Sequence, residues 1–269
     1  MRDLGGRCAV KAPIPAVKAI MARRILVNFR IQPAALAELL PHPFRPKLVK
    51  GWALGGICLI RLEHTRPAWL PRAFGVSSEN AAHRIAVEWT EYGCRREGVF
   101  IPRRDTNSLL IRVTGGRLFP GVHHAAEFRC AQSDTGFAVE LRSRDGETQV
   151  NAVVRLTHDW PSGSVFGTQE EASDFFRGGS CGWSPANNCA LEGVELHTEN
   201  WTLQALSVER VESSFFNDPH RFPPGSIAFD SALLMRGIEH EWRALGCIGE
   251  QFPVRPRHHH GAAAFFEMP

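Results

Sequence analysis

From His83 to Tyr92 the chain alternates with a period of two. His83, Ile85, Val87, Trp89 and Glu91 fall on one side and Arg84, Ala86, Glu88, Thr90 and Tyr92 on the other, as in a β-strand. Segments of the same kind recur. Residues 24–31 are apolar and β-branched, and a turn at Lys50-Gly51 leads into a strand ending near Leu62. Further strands are predicted at 99–103, 122–130, 137–142 and 148–157, within 194–211, and at 226–229 and 238–242. Asp145-Gly146 is the strongest hairpin signal, because a tight primed turn requires positive φ.

Helical signals are few and short. Pro33 opens a helix over 34–40 that Pro41 and Pro43 stop. Asp105 or Thr106 is placed to cap a helix through Leu109, Leu110 and Val113, closed by Gly115-Gly116. Thr168-Gln169-Glu170-Glu171 has capping-box spacing, and Gly178-Gly179 ends the helix it starts. Pro219, Pro223 and Pro224 make 217–226 a loop. The expected fold is one α+β domain, mainly antiparallel β, arranged as a barrel or two curved sheets.

Length and composition fit that reading. A chain of 269 residues, 43% hydrophobic and 22% charged, is an ordinary globular sequence able to bury a core unaided. Its 31 basic and 28 acidic residues nearly balance, which argues against a dedicated nucleic-acid binder. The expected organisation is a basic N-terminal arm over 1–23, a single domain over 24–252 and an irregular tail over 253–269. No run reaches the 18 or so apolar residues of a bilayer span, so no membrane association is expected, and the location is read as cytoplasmic. The seven cysteines (8, 58, 94, 130, 181, 189 and 247) lack metal or redox spacing and read as thiols of a reducing compartment.

Nucleotide, dinucleotide, α/β-hydrolase and zincin signatures are absent. The densest polar cluster is Gly98-Val99-Phe100-Ile101-Pro102-Arg103-Arg104-Asp105-Thr106, followed by Gly116-Arg117-Leu118-Phe119-Pro120-Gly121-Val122-His123-His124. Arginine offers a planar fork for carboxylates, and histidine moves protons near neutral pH. Arg103, Arg104, Asp105 and Arg117 are therefore candidate ligand-binding residues, and His123 and His124 candidate acids or bases. Neighbours on a strand face opposite ways, so one of each adjacent pair is expected inside. An Arg–Asp pair that only fixes a turn is the competing reading.

The Arg103–Thr106 and Gly116–His124 runs, with Val211-Glu212-Ser213-Ser214-Phe215-Phe216 and Phe229-Asp230-Ser231-Ala232-Leu233-Leu234-Met235, resemble the YqjF-like family of the acetoacetate decarboxylase-like superfamily. The likeness spans about 24–245. It implies a cone-shaped β-barrel with a few short helices around one internal pocket, and it adds Glu79 as a candidate catalytic carboxylate. In that superfamily an imine-forming lysine sits in a Gly-x-Pro-Lys-Lys-like run. Here the corresponding stretch is Gly121-Val122-His123-His124-Ala125, and the only lysines are Lys11, Lys18, Lys47 and Lys50. Arginine and histidine cannot replace the amine of an imine.

The expected activity is binding of a small carboxylate- or carbonyl-containing metabolite without Schiff-base chemistry. The alternatives are a lysine-independent lyase or hydrolase using His, Arg and Glu, and a structural protein with a filled barrel. No cofactor is expected. No metal site is expected either, although His258-His259-His260 could bind one weakly. The expected partner is a small anion; the sequence permits a homo-oligomer.

Overall fold

The computed structural model describes residues 16–114, 121–187 and 191–248. β1 (Val17–Ile31) is followed by the short helix α1 (Pro33–Leu36) and the two-residue strands β2 (Arg45–Pro46) and β3 (Leu48–Val49). Three long strands come next, β4 (Trp52–Pro67), β5 (Val76–Glu91) and β6 (Cys94–Thr106), and then α2 (Leu109–Thr114). The meander β7 (His124–Gln132), β8 (Gly136–Ser143) and β9 (Gln149–Leu156) leads to α3 (Gln169–Gly178). β10 (Cys181–Pro185), β11 (Leu191–His197), β12 (Gln204–Ser213), β13 (Ile227–Met235) and β14 (Ile238–Ile248) complete the described chain.

The strands form one sheet that closes on itself twice. One ring runs β1-β13-β12-β9-β8-β7-β6-β5-β4 and returns through the β1–β4 pairing. The other runs β1-β4-β5-β6-β10-β11-β14 and returns to β1. Both use β1, β4, β5 and β6, which form a shared wall. Pairings are antiparallel except the short β6–β7 and β6–β10 contacts. This is the predominantly antiparallel, barrel-like α+β fold expected.

A wall between two rings has two buried faces, so its strands bury both alternating sets of side chains. On the first face Ile25, Val27, Ala53, Ile57, Leu59, Ala81, Ile85 and Val87 pack against Val139, Val154, Leu206 and Leu234 across the larger ring. On the second, Ala19, Met21, Leu26, Leu54, Cys58, Leu62, Ala82, Ala86 and Ile101 pack beneath Val165, Phe166, Ala172 and Phe176. Met21 and Leu26 share a face despite opposite parity because the β1–β4 register shifts between Met21 and Arg23.

Several boundaries differ from expectation. Val17–Arg23, read as part of a basic arm, belong to β1, paired with β14 and β4. Residues 1–15 and the tail, with His258–His260, lie outside the described residues. β5 begins at Val76 rather than His83; its polar start is satisfied from within, since Asn80 Nδ2 donates to Ser78 Oγ (2.8 Å) and Thr106 Oγ1 to Asn80 Oδ1 (2.8 Å). Asp105 and Thr106 finish β6 instead of capping α2, whose Ile111 N–H reaches Ser108 Oγ at 3.3 Å. Gly146 does adopt positive φ (78°), but residues 144–148 connect β8 to β9, a longer loop than a two-residue turn. Asp145 Oδ1 holds that loop by accepting from Ser143 Oγ and the Glu147 N–H. Of the expected capping box the N-cap half forms, Thr168 Oγ1 accepting from Glu171 N (3.2 Å), while Glu171 Oε2 reaches one residue further back and accepts from Gly167 N (2.7 Å) instead of Thr168 N.

Candidate functional site

The second face of the wall gathers polar residues far apart in sequence. Across the strands Leu26, Cys58, Ala82 and Arg104 stand in one row. Arg24 is two residues before Leu26 on the same face, and Arg84 two residues after Ala82. Gly56 lies between Asn28 on β1 and Arg84 on β5, so the two side chains meet above it. A Cβ there would stand 2.2 Å from the Val27 carbonyl oxygen, which makes glycine obligatory.

These side chains hold one another in place. Arg84 donates a short hydrogen bond to Asn28 Oδ1 and lies 4.7 Å from the Phe176 ring centroid of α3. Asn28 Nδ2 donates to Ser231 Oγ at 3.3 Å. Arg24 places one Nη 3.7 Å from Cys58 Sγ and the other 3.7 Å from Met235 Sδ. Arg104 Nε donates to Ser184 Oγ on β10 at 2.8 Å. Beside it, the Gly121 N–H donates to Glu192 Oε2 at 2.9 Å, and His123 Nδ1 lies 3.2 Å from the Gly121 carbonyl oxygen. A carbonyl only accepts, so Nδ1 carries the proton of the neutral ring and Nε2 its lone pair. Gly121 has φ of 84°, and a Cβ there would meet Ser184 Cβ at 2.6 Å. His240, opposite Ala19, joins the same face and packs edge-on against Trp242.

The cluster is strongly cationic. Among the described residues no carboxylate pairs with Arg24, Arg84 or Arg104, whose polar contacts are to sulfur, an amide and a hydroxyl. Arg24 Nε, Arg84 Nε and His240 Nε2 are buried without a hydrogen-bond partner. Burial lowers the pKa of Arg84 and brings that of Arg104 to about 10. Burial alone would raise the Cys58 thiol, but Arg84 and Arg24 outweigh it and leave the thiol below its ordinary value. Burial, then the Arg104 charge, hold His123 at about 3; burial likewise brings His240 to about 4. Both imidazoles are neutral at physiological pH.

The first face is balanced. Arg23 donates to Glu79 Oε2 at 2.6 Å and Arg61 to Oε1 at 3.2 Å, and the Glu79 N–H donates to Asn107 Oδ1. Arg103 grips Asp105 (2.8 Å) and Asp145 (2.9 Å), and His124 Nδ1 lies 3.1 Å from Asp145 Oδ2. His83 is fully buried against Phe215 and Phe216, with neither ring nitrogen hydrogen-bonded. Burial, then Arg103 and Arg221, set its pKa near 3.

The sequence candidates therefore divide. Arg104 and His123 join the cationic cluster. Arg103 and Asp105 form an ion-pair network with Asp145, which His124 also contacts, on the other side of the wall. Glu79, which a loop position would have left solvated, is buried between Arg23 and Arg61, away from Arg104 and His123. Arg117 lies outside the described residues. Arg24, Cys58, Arg84, Ser184, Glu192 and His240 were not singled out in the sequence; each is isolated there, and only strand pairing brings them together. A groove of about 350 Å³ on the outer side of β8, β9 and β12, lined by Glu140, Arg142, Asn151 and Glu212, shares no residue with the cluster.

Comparison with known proteins agrees with the architecture. A model of the family DUF2071, described as an uncharacterized conserved protein, matches residues 19–232. No curated protein matches the sequence. Among solved structures, acetoacetate decarboxylase from Legionella pneumophila is similar, with a TM-score of 0.57 at 12% identity over 89% of each chain. An acetoacetate decarboxylase-like enzyme from Sphingomonas wittichii RW1 gives 0.51 at 13% identity, over 93% of this chain and 97% of that one. The enduracididine biosynthesis enzyme MppR, complexed with the condensation product of pyruvate and imidazole 4-carboxaldehyde, gives 0.54 at 13% identity, over 90% and 91%. At these identities the likeness is one of fold.

Proposed function

We propose that this chain, which belongs to the DUF2071 family and has the acetoacetate decarboxylase-like fold, binds a small carboxylate-bearing carbonyl compound on the second face of the shared wall, between Arg24, Arg84 and Arg104. The observation that carries this reading is the contrast across the wall. Arg23 and Arg103 each have a carboxylate, whereas among the described residues the other three have none. Removing a charge from water without a partner costs several kcal/mol, and an anionic ligand would offset that cost. A guanidinium fork matches a carboxylate in shape as well as charge.

The class of ligand has a second support. MppR, one of the similar folds, has been captured with pyruvate, a 2-oxo acid. Imine formation is not part of the proposal. Lys18 and Lys47 make ion pairs with Glu241 and Glu97, Lys50 is exposed, and no lysine follows in the sequence. A catalytic reading, a lysine-independent lyase or hydrolase, would use His123 and Glu192 rather than Glu79, since the former two flank Gly121 beside Arg104. Their neutral imidazole and carboxylate are groups able to accept a substrate proton.

Thermal-shift titration tests the binding reading. Pyruvate, glyoxylate, malonate and oxaloacetate would be compared with acetone and with chloride at matched ionic strength. A ligand that binds only the folded chain raises its melting temperature, by about 2.7 kcal/mol of stability at a hundredfold excess over Kd. Carboxylates should raise it and acetone should not. A rise that persists in Arg104→Gln would remove this cluster as the site.

A further inference from the structure

The cationic cluster is built around a sulfur atom. Cys58 is 2% exposed and stands at the middle of the wall, with Arg24 Nη2 3.7 Å from its Sγ and Arg84 diagonally across from it on the adjoining strand. Ala82 separates it from Arg104 in the same row, too small to screen one from the other. A carboxylate bridging Arg104 and Arg84 would therefore bring the adjoining carbon of a small acid over this thiol. The neighbouring Arg84, 6% exposed, keeps an Nε–H without a partner, and such a donor is what an oxygen bound beside the sulfur requires.

We propose that Cys58 is the nucleophile of this site, adding its sulfur reversibly to the carbonyl carbon of a bound 2-oxo acid. The inference rests on the carboxylate-binding reading above and names the residue that engages the ligand's second group. The thiol first gives its proton to solvent. A sulfur lone pair forms the S–C bond, the carbonyl π bond breaks, and its electron pair moves to oxygen. The resulting alkoxide takes a proton from water, so the net change is addition of S–H across C=O, with no oxidation or reduction. Guanidinium N–H groups are suited to the developing negative oxygen. The two adjacent cations also favour the thiolate, in keeping with the lowered pKa of this thiol.

The experiment uses [2-¹³C]glyoxylate, a 2-oxo acid with an unhindered aldehyde carbon, with the wild-type chain, Cys58→Ser and Cys58→Ala. Carbon NMR reads the adduct and thermal shift reads binding. The expected result is a new protein-bound ¹³C resonance in the wild type that both variants lose, while glyoxylate still raises their melting temperature. Binding by the wild type without a Cys58-dependent resonance overturns the nucleophile and leaves the anion site standing. No binding by the wild type overturns the anion site and the nucleophile with it.

A labelling arm on the wild type keeps the proposal falsifiable should both variants fail to fold. Bromopyruvate and uncharged iodoacetamide are compared at Cys58 and at exposed Cys94 by peptide mass spectrometry. Bromopyruvate should favour Cys58 over Cys94 at least about tenfold more than iodoacetamide does, as capture of its carboxylate by one guanidinium implies, and glyoxylate should protect Cys58 alone. An equal preference, or a Cys58 that neither reagent modifies in the folded chain, overturns the assignment.

Discussion

Arg103 and Arg104 are consecutive residues of β6 whose side chains enter different cores of one protein. Arg103 is clamped by the carboxylates of Asp105 and Asp145, while Arg104 reaches across to the hydroxyl of Ser184. Alternation along a strand shared by two rings produces this division, and it separates a structural ion-pair network from a cluster of cations that has no carboxylate partner among the described residues.

The first consequence concerns stability. Arg103→Gln leaves Asp105 buried without its charge partner and should cost about 3–5 kcal/mol in urea unfolding. Arg104→Gln removes a cation that has no carboxylate, so it should be neutral or stabilising. Equal losses for the two variants would show that Arg104 has a compensating charge.

Glu79→Gln should behave like Arg103→Gln. Arg23, whose side chain is 3% exposed, would lose its carboxylate, whereas Arg61 stays half-exposed and hydrated. The expected loss is again about 3–5 kcal/mol, with the carboxylate-induced thermal shift unchanged. Loss of ligand response in a stably folded variant would return Glu79 to the binding site.

Gly56→Ala tests the close approach that lets Asn28 and Arg84 meet. Its Cβ would press on the Val27 carbonyl oxygen at 2.2 Å, forcing β1 and β4 apart. Overpacking of this kind costs about 1–3 kcal/mol or more. The same change should weaken carboxylate binding, because Arg84 loses its anchor. A variant with unchanged denaturation midpoint and binding would contradict the packing described.

Acid should unfold the protein partly through His83. Its folded pKa near 3 lies below the usual value of 6.5, so the unfolded chain binds the proton more readily. Its contribution is full above about pH 6.5 and is lost as pH falls towards about 3, at up to ~1.4 kcal/mol per pH unit. His123 and His240 act in the same direction. His83→Leu should therefore flatten the pH dependence of urea unfolding between pH 6 and 4. An unaltered slope would mean that this imidazole protonates as easily folded as unfolded.

Most of the strands were legible because each carries its own local signal. The alternation from His83 and the Thr168 N-cap are each complete within a few residues; the strand appears as far as Glu91, with Tyr92 in the turn, and Thr168 caps α3. The polar start of β5 at Ser78–Asn80 was hidden, since Asn80 bonds to Ser78 and Thr106 and Glu79 to Arg23 and Arg61, partners that only the fold brings near. The candidate site was only half legible. Arg104 and His123 sit in a dense polar run, but Arg24, Cys58 and Arg84 are single residues in apolar strands. Their meeting depends on the β1–β4–β5 register, including the shift at Met21/Arg23, and no local pattern encodes it. The position of Glu79 shows the same dependence, because β5's alternation turns it towards Arg23 rather than towards Arg104.

Crystallography of the protein soaked with pyruvate bears on the site without an intermediary. The expected density has its carboxylate within hydrogen-bonding distance of Arg104 and Arg84 and its carbonyl carbon beside Cys58. A carboxylate bound instead at Arg103, or Arg24, Arg84 and Arg104 already neutralised by the chain's own acids with pyruvate excluded, would contradict it.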